Sequence, residues 1–468
     1  MSDTRSTTES RARPVSGIRA DITCAVGAAI LVAAAFVVPW VGTAHYRDSL
    51  YAASAPIFGS WLPHIGWGTG PAVLVAVGVV VRGPTVAASV GWRRLLLVTW
   101  ITALAWAFAL AMVDGWQRGF AGRLTTGHEY LHEVGGVTDI PAMLHGFAGR
   151  ILDYQPDSWT THVSGHPPGA LLVFVWLDRL GLGGGVWAST VCTLVGCSAS
   201  VAVLVALRAL GAEHRARAAA PYLALAPAAI WLAVSADAFF AGVTAWAVAA
   251  LAAGLSSVRR RPVLVGVAGV LFGFGIYLNY GLVLMVVPAA AVIAVRGVRA
   301  VWPALLGALA VVAAFTLSGF WWLEGYHLVV RRYYQGIATT RPVSYWIWAN
   351  LAATVCAVGL AAAAALHRLP AGVGLPGPGE LRAGPGRALA RWRNRVDPAA
   401  LLAAAGLAAL LLADASGLSK AETERIWLPF DVWVLAGTAL LPARTTRVWL
   451  AVQAVGTLVL AHLVLTNW

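Results

Sequence analysis

The chain has 468 residues, of which 59% are hydrophobic and 11% charged, whereas a soluble domain carries about a quarter charged residues. Water is therefore not its main solvent, and one continuous membrane domain over residues 1–468 is expected. The formal net charge of +13 does not mark a nucleic-acid binder, because the arginines recur between apolar runs and form no single patch.

The first twenty residues are rich in Arg, Ser and Thr and lead into an apolar run from Ile22 to Val41. That run is long for a signal-peptide core and predicts an uncleaved anchor. A membrane-spanning helix needs about 17 to 25 mainly apolar residues. The sequence predicts thirteen, at 22–41, 65–82, 95–113, 185–207, 218–234, 237–255, 262–278, 281–295, 300–319, 345–366, 398–413, 427–442 and 448–466. The fold class is thus an all-α polytopic membrane protein. A further apolar segment, Pro168 to Leu180, is short, carries Asp178 and Arg179, and runs into a glycine-rich stretch. It reads as a re-entrant or juxtamembrane helix within a large outer loop, 114–184.

The positive-inside rule supports leaving that segment out. With the N-terminus cytoplasmic, 23 of the 33 Lys+Arg residues then fall on the cytoplasmic side, against 12 if it spans. Leu369 to Arg395 is Pro/Gly/Arg-rich without an apolar period, so 367–397 reads as a disordered basic cytoplasmic linker able to touch anionic lipid. Only Asp3, Glu9, Asp21, Glu213, Glu380 and Asp397 of the twenty acids lie on that side. The rest gather in outer loops and hairpin tips, which helix connections alone do not require. Cys24, Cys192, Cys197 and Cys356 sit in apolar stretches with no metal-like pairing, so neither a disulfide framework nor a zinc site is expected.

The outer loop from Asp114 to His166 is longer than two helices need for a connection. It holds Glu129, Glu133, Asp139, His128, His132, His162 and His166, groups that exchange protons near neutral pH. Each acid also has a plainer reading as a solvated charge or a helix cap. The letters His128-Glu129-Tyr130-Leu131-His132 spell a zinc-protease motif, but Gly127 and Gly135-Gly136 leave about two helical turns and no third ligand is evident. Zinc proteolysis is kept as an alternative, and no metal ligand is assigned. The sequence leaves open whether a divalent cation is used.

His166-Pro167-Pro168 places His166 at a helix start, where anions such as phosphate are favoured, or forms an ordinary helix-start turn. Leu418 to Phe430 holds the single lysine, Lys420, and Arg425 between Glu424 and an apolar run. The guanidinium suits a lipid phosphate, or a structural pair with a neighbouring acid. The aromatic loop from Phe320 to Tyr345 suits a glycan or an interfacial belt.

Taken together, Glu129-Tyr130 in a large outer loop, His166-Pro167-Pro168, Asp237 at an outer hairpin tip and Glu424 to Phe430 resemble the GT-C superfamily of polyprenyl-phosphate-sugar-dependent membrane glycosyltransferases. The nearest resemblance is to actinobacterial methylthioxylose transferases, which decorate the mannose caps of lipoarabinomannan. The resemblance implies a GT-C-like fold in the plasma membrane and inverting transfer of a sugar, methylthioxylose or mannose, at the extracytoplasmic face. The implied partners are a polyprenyl-phosphate sugar, a lipoglycan or other glycan acceptor, and membrane lipid. It implies Glu129 as base, with Asp139 or Glu133 as runner-up, and His166, Asp237, Asn279, Tyr280, Lys420, Glu424 and Arg425 as substrate-binding residues. In that superfamily the acid usually follows the first span, and here the large loop follows the third, so Asp48 stays an alternative base. A transporter or flippase of envelope precursors is the rival from another class; it would show mid-membrane charges and an internal repeat.

Overall fold

The structure, a computed structural model, describes residues 15–259, 261–382 and 384–467. Arg5, Arg11, Arg13 and Arg260, counted above as cytoplasmic, lie outside them, as do Asp3 and Glu9. The described chain is mostly helical. Its one sheet is a two-stranded antiparallel pair of β1 (Gly59–Trp61) and β2 (Val464–Thr466), with Gly59 opposite Thr466.

Among the described residues nine helices, not thirteen, are long and apolar enough to cross a membrane, or ten if the bent pair Trp302–Leu317 and Trp322–Gln335 counts as one. The other expected spans are short or broken. The segment expected at 218–234 is a helix over Glu213–Ala224, which contains Pro221, and a turn over Ala229–Leu232. Those at 281–295 and 427–442 each combine a 3₁₀ turn with a short α-helix, over Tyr280–Arg296 and Leu428–Leu440. That at 300–319 is the sixteen-residue helix Trp302–Leu317. Helix breaks free carbonyls that hydrocarbon cannot satisfy, so side chains do it instead. Gln453 Nε2 donates to Tyr222 O and Leu225 O at 2.9 Å each, and the Trp106 indole donates to Ala226 O at 3.1 Å.

Contacts between loops divide the molecule into two ends. At one, Asp21 accepts from Arg368 and pairs with His367, Asp397 pairs with Arg215, and Glu213 pairs with Arg208 and Arg217. At the other, residues 42–64, 114–184, 320–344 and 414–426 interlock. Arg341 donates to Leu50 O and Lys420 O, Arg332 pairs with Asp153, and Phe58 N–H donates to Glu424. Two of the short segments also run from one end to the other. Arg215, in Glu213–Ala224, donates to Ala439 O at the close of Leu428–Leu440, while Asp237 follows the far end of the broken helix beside Arg425.

Pro168–Arg179 does not make that journey. Its start is pressed on the Tyr277 carbonyl, and Arg179 at its end donates to Thr138 O at 2.8 Å, so both ends stay with the acid-rich loops. The stretch read as a disordered linker is instead ordered into short helices, Leu369–Val373, Pro378–Arg382 and Pro385–Arg395. A sparse i, i+4, i+8 stripe of Ala388, Trp392 and Val396 is buried there, and the Trp392 indole donates to Val373 O at 2.8 Å.

Small residues set the helix spacing at the centre, as they do where lipid supplies no hydrophobic force between helices. A Cβ on Gly196 would lie 2.7 Å from Ala238 Cβ, and one on Gly242 would collide with the Val195 carbonyl. Gly242→Leu is therefore expected to abolish monodisperse folded protein on size exclusion in detergent, since overpacking there must move backbone. Gly78→Leu, on an exposed helix face with open space at its Cβ, should leave the elution profile unchanged.

Candidate active site

Glu129 lies in a turn, its N–H bonded to Thr126 O, just before the short helix Leu131–Val134. The helix Thr161–Gly165 is tied to that turn through the His162 N–H on His128 O at 3.0 Å. This brings His162 Nδ1 to 3.3 Å from Glu129 Oε2, both side chains being buried. Tyr130 stacks on Phe174 at 5.2 Å and meets His162 and His166 edge-on or tilted, which packs one wall of the site. His166 Nδ1–H donates to His162 O at 2.8 Å, and Pro167-Pro168 then start the next helix.

Asp237 enters from the first turn of Ala236–Ser256, whose Ser235 caps it by accepting from Ala238 N–H at 3.1 Å. Arg425 enters from the turn Thr423–Ile426. Its Nη1 donates to Asp237 and its Nη2 donates to Glu422 Oε2 at 2.9 Å. Glu129, Asp237 and Arg425 are 2%, 1% and 5% exposed, so this is a charge cluster withdrawn from water. Its members come from three distant parts of the chain.

Burial pushes the Glu129 carboxyl up, but His162, Arg425 and His166 together hold it below its usual range. Burial, only partly offset by Asp237, drops His166 to about 4, so it is a neutral imidazole at physiological pH. Burial raises Tyr130, and the negative charges of Asp237 and Glu129 add to this. Burial opposes the charge on Arg425, yet Asp237, Glu422 and Glu129 keep it firmly protonated. The site thus sets an ionised carboxylate and a fixed cation side by side in a poorly solvated place.

Of the residues expected from sequence, Glu129, His166, Asp237 and Arg425 come together. Glu424 lies on the same turn but turns away, its Oε1 accepting from Phe58 N–H at 2.9 Å. Glu133 accepts from Thr160 N–H at 3.0 Å and Asp139 caps Ile140–Gly146, so both act in holding the loop. Asp48 is exposed at the end of a short helix. Asn279 caps Tyr280–Met285, and Tyr280 packs on Trp322 and Tyr326. Lys420 Nζ donates to Ala338 O at 2.8 Å, anchoring its own loop.

Sequence reasoning gave His162 and Glu422 no role in the site. The signal was present: His162 precedes His166 by one helical turn, and Glu422 precedes Arg425 by three residues, which puts each pair on one face of a turn. The zinc-protease alternative loses its geometry, because the helix begins at Leu131 and His128 and His132 do not share one helical face. Among the described residues no group of three or more His, Cys, Asp or Glu could hold a metal ion.

No protein-family model matches the chain, and no curated protein matches it. Among solved structures it is similar to ArnT from Cupriavidus metallidurans in the apo state, at 18% identity and a TM-score of 0.46, over 76% of this chain and 61% of that one. It is also similar to the archaeal oligosaccharyltransferase AglB from Archaeoglobus fulgidus in complex with an inhibitory peptide and a dolichol-phosphate. That match has 14% identity and a TM-score of 0.42, over 80% of this chain and 56% of that one. The oligosaccharyltransferase of the same organism complexed with zinc and sulfate matches at 15% identity and a TM-score of 0.40, over 79% and 52% of the two chains. The chain thus spans between about half and three fifths of the length of these structures.

Burial lifts Glu424 to about 7 from an unfolded value near 4.5, so the folded protein holds an extra proton between those pH values. The stability contribution is complete below about pH 4.5 and is lost as pH rises through about 7. The thermal midpoint should therefore fall from pH 5 to pH 8 in the native protein, and fall less in Glu424→Gln, whose amide oxygen still accepts from Phe58. Parallel curves for the two proteins would show that Glu424 does not titrate in this window.

Proposed function

We propose that the chain is an inverting glycosyltransferase of the GT-C type, moving a sugar from a polyprenyl-phosphate donor to a cell-envelope glycan. The observation that carries this reading is the buried Glu129 carboxylate facing His162 beside the Arg425 cluster, at the end where the acid-rich loops meet. Glu129 takes the proton from an acceptor hydroxyl as its oxygen attacks the anomeric carbon. The bond from that carbon to the phosphate oxygen breaks, and its electron pair leaves with the lipid phosphate. A general base contributes about 10²–10⁴-fold to such a step. Arg425 meets the charge that develops on the leaving phosphate, and a cation fixed in a dry site does this without reorganising.

The resemblance to methylthioxylose transferases narrows the proposal to methylthioxylose or mannose as the sugar and a lipoglycan such as lipoarabinomannan as acceptor. The arginine-rich end faces the cytoplasm by the positive-inside rule, which puts the site on the extracytoplasmic face of the plasma membrane. Thirteen crossings in a single membrane domain remain our topology, supported for the short segments Glu213–Ala224 and Leu428–Leu440 by contacts that reach both ends.

A flippase has one observation in its favour. Asp431 is fully buried in the short helix Leu428–Val434, and neither carboxyl oxygen has a hydrogen bond among the described residues. Buried ionisable groups in broken membrane helices mark transport paths in other proteins.

Glycan analysis of the envelope from a strain lacking this protein is expected to show a missing sugar substituent, restored by the native gene and not by Glu129→Gln at equal membrane abundance. An unchanged glycan profile together with altered precursor transport would instead establish the flippase.

A further inference from the structure

The turn that delivers Arg425 is strained. Ala421 and Glu422 have φ of 71° and 63°, a left-handed conformation that non-glycine residues adopt at a cost. It is imposed from outside: Arg341 donates to Lys420 O at 2.7 Å, and Asn350 Nδ2 donates to Ser419 O at 2.8 Å. The product of this strain is the position of one carboxylate. Glu422 Oε2 accepts from Arg425 Nη2 at 2.9 Å, and Glu422 Oε1 lies 3.6 Å from Arg341 Nη1.

The two carboxylates on Arg425 are held differently. Asp237 is 1% exposed and sits in the first turn of a long helix. The Glu422 side chain is 19% exposed, against 6% for Arg425 and 5% for Arg341, and it rides on the strained turn. An oxyanion bridging two guanidiniums is the arrangement arginines offer to a phosphate.

We propose that Glu422 occupies the seat of a lipid phosphate, and that a phosphate ester enters by displacing the Glu422 carboxylate from Arg425 and Arg341. This rests on the reading that Arg425 faces the donor phosphate, and it names the subsite and the group that guards it. The exchange is balanced in charge. A phosphodiester carries one negative charge, as the Glu422 carboxylate does, so the buried cluster keeps its net charge when one replaces the other. After transfer the lipid phosphate is a monoester with close to two negative charges. The returning Glu422 then competes with it for the same two guanidiniums, which assists release.

The experiment is a calorimetric titration of farnesyl phosphate, and separately of inorganic phosphate, into the purified full-length protein in detergent. Glu422→Gln removes the competing charge and is expected to bind farnesyl phosphate about tenfold more tightly than the native protein, since a ligand gains whatever the occluding state cost it. Arg425→Gln in the same background should remove the gain. Glu422→Asp, whose carboxylate stops short of Arg425, should show a smaller gain and decides the matter if the glutamine variant does not fold. A gain for farnesyl phosphate that exceeds the gain for inorganic phosphate supports a lipid seat, and an equal gain for both overturns it in favour of free phosphate. Unchanged or weaker farnesyl phosphate binding in the folded variants overturns the displacement. The titration involves no sugar transfer, so its failure is separate from that of the transferase reading, which the glycan profile decides.

Discussion

Arg425 carries a permanent charge in a place that is 5% exposed, and the end of the molecule where the acid-rich loops meet is organised around making that tolerable. Taking a guanidinium out of water costs several kcal/mol even after relaxation, and the cost is recovered only with well-placed counter-charges. Asp237 and Glu422 accept from its two terminal nitrogens, and Glu129 adds its field from the large outer loop. Removing one partner would leave an uncompensated buried charge, which is worse than never having buried the pair. The loops therefore cannot drift independently, because each contributes a member of one electrostatic unit.

A second layer keeps those members in register. Asn350, in the helix Val343–Ala365, donates to Asp414 Oδ1 and to Ser419 O at 2.8 Å each, while the Thr423 hydroxyl sits 3.4 Å from its amide oxygen. Arg341 commits three of its five N–H donors to Leu50 O, Tyr51 O and Lys420 O, joining the early loop at 42–64 to the late one at 414–426. Phe58 links Glu424 to the chain's last described residues, since its N–H donates to that carboxyl and its carbonyl accepts from Asn467 N–H. Arg123 extends the tie by pairing with Asp114 and donating to Thr466 O. Most of these acceptors are backbone carbonyls. A side chain that holds backbone fixes the direction of its neighbours, which is what a site on loops needs in order to behave as a rigid one.

The membrane character and the segregation of charge were legible in composition and in the spacing of arginines, because both are sums over many residues. Local order was harder to read. The Arg-rich stretch near Trp392 looked unstructured since its apolar stripe is only one residue wide, and three buried residues in a basic background fall below any visible period. The broken spans looked continuous because hydropathy counts side chains and not backbone. Gln453 supplies the donors that make the interruption after Ala224 tolerable from far along the chain, and no local pattern announces that. Glu129, His166, Asp237 and Arg425 were named from loop position and from the family resemblance, and the fold brings them together. His162 and Glu422 were missed because a long polar loop offers several histidines and acids, and only the fold says which of them lose their water.

The same accounting explains why the acids divide into two populations. Glu133 and Asp139 satisfy backbone N–H groups and hold their loop in shape, a role that asks for a carboxylate but not for dryness. Glu129 is different: one oxygen faces an imidazole, and the carboxyl has lost nearly all its contact with solvent. A buried carboxylate without cations nearby would take up a proton and cease to be a base. Here burial is opposed chiefly by His162 and by Arg425, so the group stays ionised and able to accept a proton. In the proposed transfer the cation that keeps Glu129 ionised is also the one placed to receive the leaving anion, so Arg425 would couple the two halves of the chemistry through a single charge. A shift of Arg425 would therefore alter the charge state of Glu129 as well as the pairing with Asp237 and Glu422, so several loops are tied together by keeping one guanidinium in place.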